Sequence, residues 1–396
     1  MENDVLTHYL DRFLQAKTYE KTRRDVTRAT TLPPEIYRLK DFHPIESEKV
    51  FGRAWVCVGY SCQVDLPGKT LTASVAQQPI VITRDKQGVL RGFFNVCRHR
   101  GSLLVTNDSK VERFRCPYHS WTYDLTGKLQ KCPLFTDSDD GKVFNKDDYH
   151  LLPIRVEQFG CFIFANLDRD AEPLSDYLGD LPHHYRNFPL SEFVLYKRKA
   201  YSINANWKLV AENFLEYYHL PWVHPELCEV TAIDMHKRNQ GAGMYMSFYA
   251  SPLLKGRTPL DADYLPAMPG LSETEANSGY FPFIFPNLAT FILPHHVFVL
   301  TMKPTSIDHT HEFGDLLVHS SLLTHPLVEE KCEEIFRFYD MVNLQDISAV
   351  ERVQQGIQAR AYQGGRMSYR FEEPVHRFQN MIIDYLTNEK RQYPAD

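Results

Sequence analysis

Cys97-Arg98-His99-Arg100-Gly101 and Cys116-Pro117-Tyr118-His119-Ser120-Trp121, with sixteen residues between His99 and Cys116, carry one arrangement twice: a thiol and an imidazole a few positions apart, each pair just after a strand-like run. A tight loop at such a place aims two side chains at one point. Two cysteines and two histidines suit two chemistries. A single structural zinc takes all four in one tetrahedral shell. A two-iron, two-sulfide cluster takes both cysteines on one iron and both histidines on the other, which raises its potential above that of an all-cysteine cluster. Spacing separates the two readings. Zinc fingers usually pair Cys with Cys and His with His, whereas here each loop donates one of each, as two loops clamping a cluster from opposite sides must.

A cluster of that kind moves electrons and does no substrate chemistry, so an acceptor is sought in the same chain. Glu212-Asn213-Phe214-Leu215-Glu216-Tyr217-Tyr218-His219-Leu220-Pro221-Trp222-Val223-His224-Pro225 supplies one. His219 and His224 lie five apart, which an unbroken helix does not place on one face. Pro221 cannot sit inside a helix without disrupting the turn before it. The expectation is a helix from Asn206, its N-cap, to Tyr218, ending near His219, with the following turn swinging His224 back to the same point. Two histidines and one carboxylate form the facial triad that leaves open positions on Fe(II). A long helix expected from Pro326 to Arg360 offers the carboxylate: Ile335, Val342, Ala349, Val353 and Ile357 mark a buried stripe, and Asp346 falls on it. A buried carboxylate needs a cation, a donor or a metal. Arg352 is the local candidate for a salt bridge in place of a metal.

Together these motifs resemble the catalytic subunits of Rieske non-haem iron oxygenases along nearly the whole chain. Phe51-Gly52-Arg53-Ala54-Trp55, Asn206-Trp207-Lys208 and Asp346 follow that family's layout in order and distance. The resemblance implies an α+β fold: a β-rich Rieske [2Fe–2S] domain beside a catalytic domain whose central antiparallel sheet is wrapped by helices. It implies that Cys97, His99, Cys116 and His119 hold the cluster and that His219, His224 and Asp346 hold mononuclear Fe(II). Pro117 and Tyr118 are expected to pack over the cluster. It also implies a ring-shaped homotrimer in which Glu216, three residues before His219, bridges the cluster of one subunit to the iron of the next.

The rest of the chain fits this division. Residues 4–30 read as a polar helix with Leu10, Phe13 and Leu14 on one face, and 1–45 as a helical segment packing on the catalytic domain. Residues 46–165 read as the Rieske domain. Hairpin signals flank Asp85-Lys86-Gln87-Gly88 and Leu125-Thr126-Gly127, and Gly160 to Ala165 reads as its closing strand. Residues 166–396 read as the catalytic domain, with strand-like runs at 243–250, 280–293, 297–303 and 312–323. At 396 residues two domains are expected, and 43% hydrophobic with 24% charged residues is ordinary for a globular chain. A net charge of −6 gives no reason to expect nucleic acid or an anionic membrane as partner. No apolar run approaches the ~18 residues of a membrane span, and Met1-Glu2-Asn3-Asp4 lacks the positive charge of a secretory signal, so a cytoplasmic location is expected. The six remaining cysteines read as small buried hydrophobes or isolated thiols.

Neither a GxGxxG nucleotide fingerprint nor a plant-type ferredoxin cysteine series occurs, so electrons must come from a separate NAD(P)H-dependent reductase. The substrate reading starts from Glu216. Ring-dihydroxylating members usually carry Asp in a slightly longer motif, while oxygenases of carnitine- and betaine-type compounds more often look like this chain. With 13% aromatic residues, a box of rings can attract a trimethylammonium group. Tyr280-Phe281-Pro282-Phe283-Ile284-Phe285 can line such a box, and its alternation is also that of a core strand. The reading is hydroxylation or N-demethylation of a small quaternary ammonium compound with O₂. Hydroxylation or dealkylation of an aromatic acid, or an electron carrier with an inactive second site, are the alternatives.

Overall fold

A computed structural model describes residues 9–135, 144–238, 241–254, 256–260 and 265–389. The chain divides into two compact units, one of residues 51–174 and one of residues 1–50 with 175–396. Among the described residues no helix is long and apolar enough to cross a membrane. The acidic start, Met1 to Asp4, lies outside them.

The first unit is built from ten strands: β1 (Val56–Tyr60), β2 (Lys69–Val75), β3 (Gln78–Arg84), β4 (Leu90–Phe94), β5 (Ser109–Lys110), β6 (Phe114–Arg115), β7 (Thr122–Tyr123), β8 (Leu129–Lys131), β9 (Pro153–Phe159) and β10 (Phe162–Asn166). Seven form one sheet in the order β1-β10-β9-β4-β3-β2-β5, and β6-β7-β8 form a small second sheet. The turn at 85–88 joins β3 to β4. There Asp85 takes the backbone N–H groups of Gln87 and Val89, and Gly88 sits at φ +80°. A buried group that includes Phe93, Phe114, Trp121, Tyr123 and Leu129 lies under the two Cys/His loops.

The second unit centres on one antiparallel sheet: β11 (Phe193–Ile203), β12 (His236–Arg238), β13 (Tyr245–Ala250), β14 (Gly279–Ile284), β15 (Leu288–Leu293), β16 (His296–Ser306) and β17 (His309–His319), in the order β11-β17-β16-β15-β14-β13-β12. Four helices matter for the site: α1 (Trp207–Phe214), α2 (Leu220–Val223), α3 (Val328–Ile357) and α4 (Glu373–Thr387). The α+β class expected from sequence is the one found, with a central antiparallel sheet and helices packed on it. Helix α3 is pegged to β11 by charge: Lys197 reaches Glu333 at 2.5 Å, and Lys199 and Tyr201 reach Asp340 at 2.5 and 2.8 Å.

Several local expectations are corrected. The described part of 4–30 is helical at 9–11, passes into short 3-10 turns, Arg12–Leu14 and Ala16–Tyr19, and is not a continuous helix. Side chains there take carbonyls that a helix would use: Tyr19 donates to the Phe13 carbonyl at 2.7 Å, and Thr18 to that of Arg12. On α3 the buried stripe runs as expected through Ile335 and Val342, but Val353 is 48% exposed. Beyond Asp346 the helix turns Val350, Gln354 and Ile357 inward. Gln354 is drawn in because it accepts from the Asn206 N–H at 2.9 Å and donates to the Tyr37 carbonyl at 3.3 Å. Helix α4 had no counterpart in the sequence reading. It anchors the amino-terminal segment, since Gln379 accepts from the Leu32 N–H and Arg23 pairs with Asp384.

Candidate metal centres

The two Cys/His loops share one backbone design. In the first, the Cys97 N–H donates to the Ser102 carbonyl at 2.8 Å and the Gly101 N–H returns to the Cys97 carbonyl at 3.0 Å. The second repeats it: Cys116 N–H to the Trp121 carbonyl at 2.8 Å, Ser120 N–H to the Cys116 carbonyl at 3.1 Å. Each turn closes only if the fourth residue after the cysteine is left-handed. Gly101 has φ +74° and Ser120 φ +58°. Glycine adopts that region without penalty, whereas serine is held there, its hydroxyl accepting from Arg115 and its carbonyl from Thr122. Asn95 fixes the first loop to the sheet by taking the Val105 N–H and donating to the Val105 carbonyl.

The four side chains so placed suit a cluster. Cys97 and Cys116 are buried, and the rings of His99 and His119 lie 4.7 Å apart at 70°. Both histidines have a buried Nδ1 with no hydrogen-bond partner, the state of a nitrogen made to be ligated. A single tetrahedral zinc would need its four donors within about 4 Å of one another, as its ~2.0–2.3 Å bonds require. Among the described residues three such atoms meet within 4.8 Å only elsewhere, at His219, His224 and Asp346. Two loops that each present one thiol and one imidazole fit two irons, one held by the cysteines and one by the histidines, better than one ion.

The thiols differ in their surroundings. Burial and the neighbouring Cys116 push Cys97 up. Burial also disfavours the Cys116 thiolate, but the N–H groups of His119 and Tyr118 outweigh it and bring that thiol down. The Tyr123 hydroxyl accepts from the Arg98 N–H at 3.0 Å and lies 3.4 Å from Cys97 Sγ, so its own proton is directed at the sulfur. Pro117 is exposed, and Tyr118, 59% exposed, lays its ring 3.8 Å from that of His119. Trp121, 2% exposed, is the buried cover, stacked on His99 at 4.9 Å and 9°.

The second centre grows out of a helix that ends early. Asn206 caps α1, its side chain accepting from the Lys208 N–H at 3.0 Å, but the helix stops at Phe214 and does not reach Tyr218. Glu216 explains the break. Its carboxylate takes the N–H groups of Tyr218 and His219, which a continuing helix would bond to carbonyls. Pro221 then opens the short α2, where its missing N–H is harmless, and does not end a long helix. His219 and His224 are the two caps of that single turn, with the Val223 N–H bonded to the His219 carbonyl and the His224 N–H to that of Leu220. Five residues of separation thus place both rings on one side, 5.1 Å apart.

Asp346 of α3 meets them. Its Oδ1 is 2.6 Å from His224 Nε2 and 3.4 Å from His219 Nε2. Both imidazoles are oriented from behind, His219 Nδ1 by Glu216 at 2.5 Å and His224 Nδ1 by Gln345 at 2.6 Å. Each Nε2 is therefore turned toward Asp346, the pattern by which outer partners orient metal-binding histidines. Burial disfavours a charged His219, but Asp346 and Glu216 outweigh it and push its pKa up to about 10. Burial likewise resists ionised Asp346, and hydrogen bonds from His219 and His224 bring it below its ordinary value. The carboxylates around these imidazoles favour positive charge at this point, which a divalent metal can supply in place of a proton. Arg352 is no part of it, lining an outer groove with Trp222 and Leu344.

A cavity of about 80 Å³ opens on these three side chains. Phe214, Phe248, Phe281, Phe291 and Tyr339 supply much of its wall. The 280–285 run serves both purposes considered for it, since Phe281 lines the cavity while Phe283 and Phe285 are buried in the core. Sequence reasoning missed Gln345, Tyr123, Trp121 and a second cavity carboxylate, Glu312. The last could have been found as an acid in step with the inward residues of β17, Thr310, Leu316 and Val318.

Comparison with known proteins bears on both centres. Residues 54–144 match the Rieske [2Fe–2S] domain family, and residues 190–388 match the ring hydroxylating alpha subunit (catalytic domain) family. The glycine betaine monooxygenase oxygenase subunit of Pseudomonas aeruginosa is 28% identical, over 90% of this chain and 89% of its own length. The carnitine monooxygenase oxygenase subunit of Acinetobacter baumannii is 27% identical, over 90% of this chain and 95% of its own. Among solved structures, the quaternary ammonium Rieske monooxygenase CntA with L-carnitine superposes with a TM-score of 0.76 at 25% identity, over 90% of this chain and 96% of that one.

Proposed function

This chain belongs to the family of ring-hydroxylating alpha subunits, Rieske-type oxygenases that carry a [2Fe–2S] cluster and a mononuclear iron, and from that premise we propose that it oxidises a small quaternary ammonium compound. The observation that carries the substrate reading is the aromatic cavity on His219, His224 and Asp346, whose rings suit a trimethylammonium group. The betaine- and carnitine-oxidising relatives point the same way.

In this reading Cys97, His99, Cys116 and His119 hold the cluster, and His219, His224 and Asp346 hold the iron. The bound iron supplies O₂ activation with electrons relayed from the cluster. The chain's own residues do the rest. Asp346 gives the one anionic ligand, Gln345 and Glu216 fix the two imidazoles, and the apolar walls keep bulk water from the reacting carbon. Glu216 links His219 to a cluster histidine of a neighbouring subunit in a homotrimer; its 2.5 Å contact to His219 Nδ1 supports the iron side of that link. Electrons come from a separate NAD(P)H-dependent reductase. The convergence of three ligand atoms within 4.8 Å argues against an electron carrier with a lost second site.

The test is reductase-coupled O₂ uptake with choline, glycine betaine and carnitine against benzoates and salicylates. Uptake with the ammonium compounds is expected, and formaldehyde release would identify demethylation. Tight coupling to an aromatic acid with no response to any ammonium compound would replace this substrate class.

A further inference from the structure

The cavity contains a carboxylate that neither metal centre uses. Glu312 stands on β17 with 1% of its surface exposed, on the same inward face as Thr310 and Leu316. It lines the cavity, and among the described residues its side chain has one hydrogen-bond partner, Asn343 Nδ2 at 2.7 Å. Asn343 lies one turn before Asp346 on α3, so the helix that presents the iron ligand also presents this donor. No lysine or arginine is among the described residues that line the cavity. The remaining cavity histidine, His236, is disfavoured as a cation by its burial.

A buried carboxylate with one neutral donor and no basic partner is costly. Asp346 and Glu216 are already engaged with the two imidazoles, which leaves Glu312 as the cavity carboxylate with no imidazole or basic side chain against it among the described residues. We propose that Glu312, held by Asn343, is the counter-charge for the substrate's ammonium group and makes the cavity select cations over neutral molecules of the same shape. This rests on the quaternary ammonium reading and assigns to one residue a cation selectivity beyond the modest preference that the aromatic walls supply by themselves. Burial, and secondarily the charge of Asp346, lift the Glu312 carboxyl to about 7 against the pull of Asn343. Either form is therefore accessible near neutrality, and a cation entering the cavity favours the ionised one. A tetraalkylammonium has no N–H to donate, so its attraction to Glu312 is Coulombic and a glutamine cannot replace it.

The test is calorimetric binding to the iron-loaded holoenzyme without O₂ or reductant. Choline, glycine betaine and carnitine are each titrated beside the analogue in which a tert-butyl carbon replaces the trimethylammonium nitrogen, which keeps the shape and has one positive charge fewer (neutral for choline, a carboxylate anion for the other two). Wild type should bind at least one ammonium compound roughly tenfold or more tighter than its analogue. Glu312→Gln keeps the acceptor for Asn343 and should reduce that preference severalfold, to the part the rings supply, while the neutral choline analogue binds as before, which also reports an intact fold. Glu312→Asp, with the charge retracted, should give an intermediate preference. A preference undiminished in Glu312→Gln overturns the assignment and leaves the substrate class standing. Absence of any ammonium preference in wild type overturns both. If Glu312→Gln does not fold, an unchanged preference in Glu312→Asp overturns the assignment.

Discussion

Gln345 and Asp346 are neighbours in sequence with different work, and the difference sets what their substitutions do. Gln345 turns the His224 ring from behind, at 2.6 Å from Nδ1. Gln345→Leu keeps much of the volume and removes the acceptor. The expected result is an iron affinity lowered by about 10- to 100-fold with the cluster spectrum unchanged, measured by metal titration of the chelator-treated protein. Wild-type affinity would mean that packing alone orients His224. Tyr123 poses the corresponding question at the cluster. Its hydroxyl lies 3.4 Å from Cys97 Sγ, where a hydrogen bond stabilises the more negative, reduced cluster. Tyr123→Phe should lower the reduction potential by on the order of 50 mV, the one-electron equivalent of a single hydrogen bond of ordinary strength. An unshifted potential in protein-film voltammetry would remove Tyr123 from the cluster's controls. The candidate ligands could be named from sequence because their residue types and spacings are dictated by metal geometry. Gln345, Tyr123 and Glu312 could not, since glutamine, tyrosine and glutamate have many ordinary uses and only three-dimensional neighbours distinguish them.

At the scale of elements, sequence periodicity located α3 and most strands within a few residues, because burial repeats along them with a fixed period. It failed where a side chain competes with the backbone. Glu216 takes two N–H groups and stops α1 at Phe214, and nothing in the apolar pattern of 206–218 foretells that. Pro221 was correctly read as incompatible with a helix interior but assigned to the wrong end of a helix. Val353 shares an angular position with Ile335 on an ideal helix, yet Gln354 took the inward side through its bonds to Asn206 and Tyr37. That bond also ties α3, which carries Asp346, to the cap of α1, the helix that leads to both histidines. Asp346→Ala should therefore remove the anionic ligand without unseating α3, whose pegs lie at Glu333, Asp340 and Gln354. Iron analysis should fall from three to two irons per chain, with the cluster's absorbance retained and turnover lost. Full iron content and turnover in that variant would send the search to another carboxylate.

For the molecule as a whole, the charges sealed inside the larger unit set how stability responds to pH. Glu46 and Lys208 pair there at 1% and 0% side-chain exposure, and Glu212 accepts from Tyr37 at 2.6 Å and from Gln379 at 2.9 Å. Burial pushes Glu212 up to about 7, with Glu372 adding to it, while the bonds from Tyr37 and Gln379 and the charge of Lys208 pull the other way without prevailing. The unfolded chain releases this proton near the ordinary glutamate value of about 4.3. Between that value and about 7 the folded state holds the proton and the unfolded state does not, so the contribution of Glu212 to stability falls as pH rises through this window and levels off above it. Glu212→Gln keeps the shape and the Oε1 acceptor for both donors and removes the titration. Calorimetric melting of the iron-loaded protein at pH 5 and pH 8 should show wild type losing more than the variant across the interval. The variant is thus relatively more stable at the higher pH. Carboxylates held below their ordinary value, such as Asp85 and Asp180, act in the opposite sense but at lower pH, and they are common to both proteins. Parallel pH profiles for wild type and Glu212→Gln would show that Glu212 is ionised throughout, with Lys208 neutralising it inside the fold.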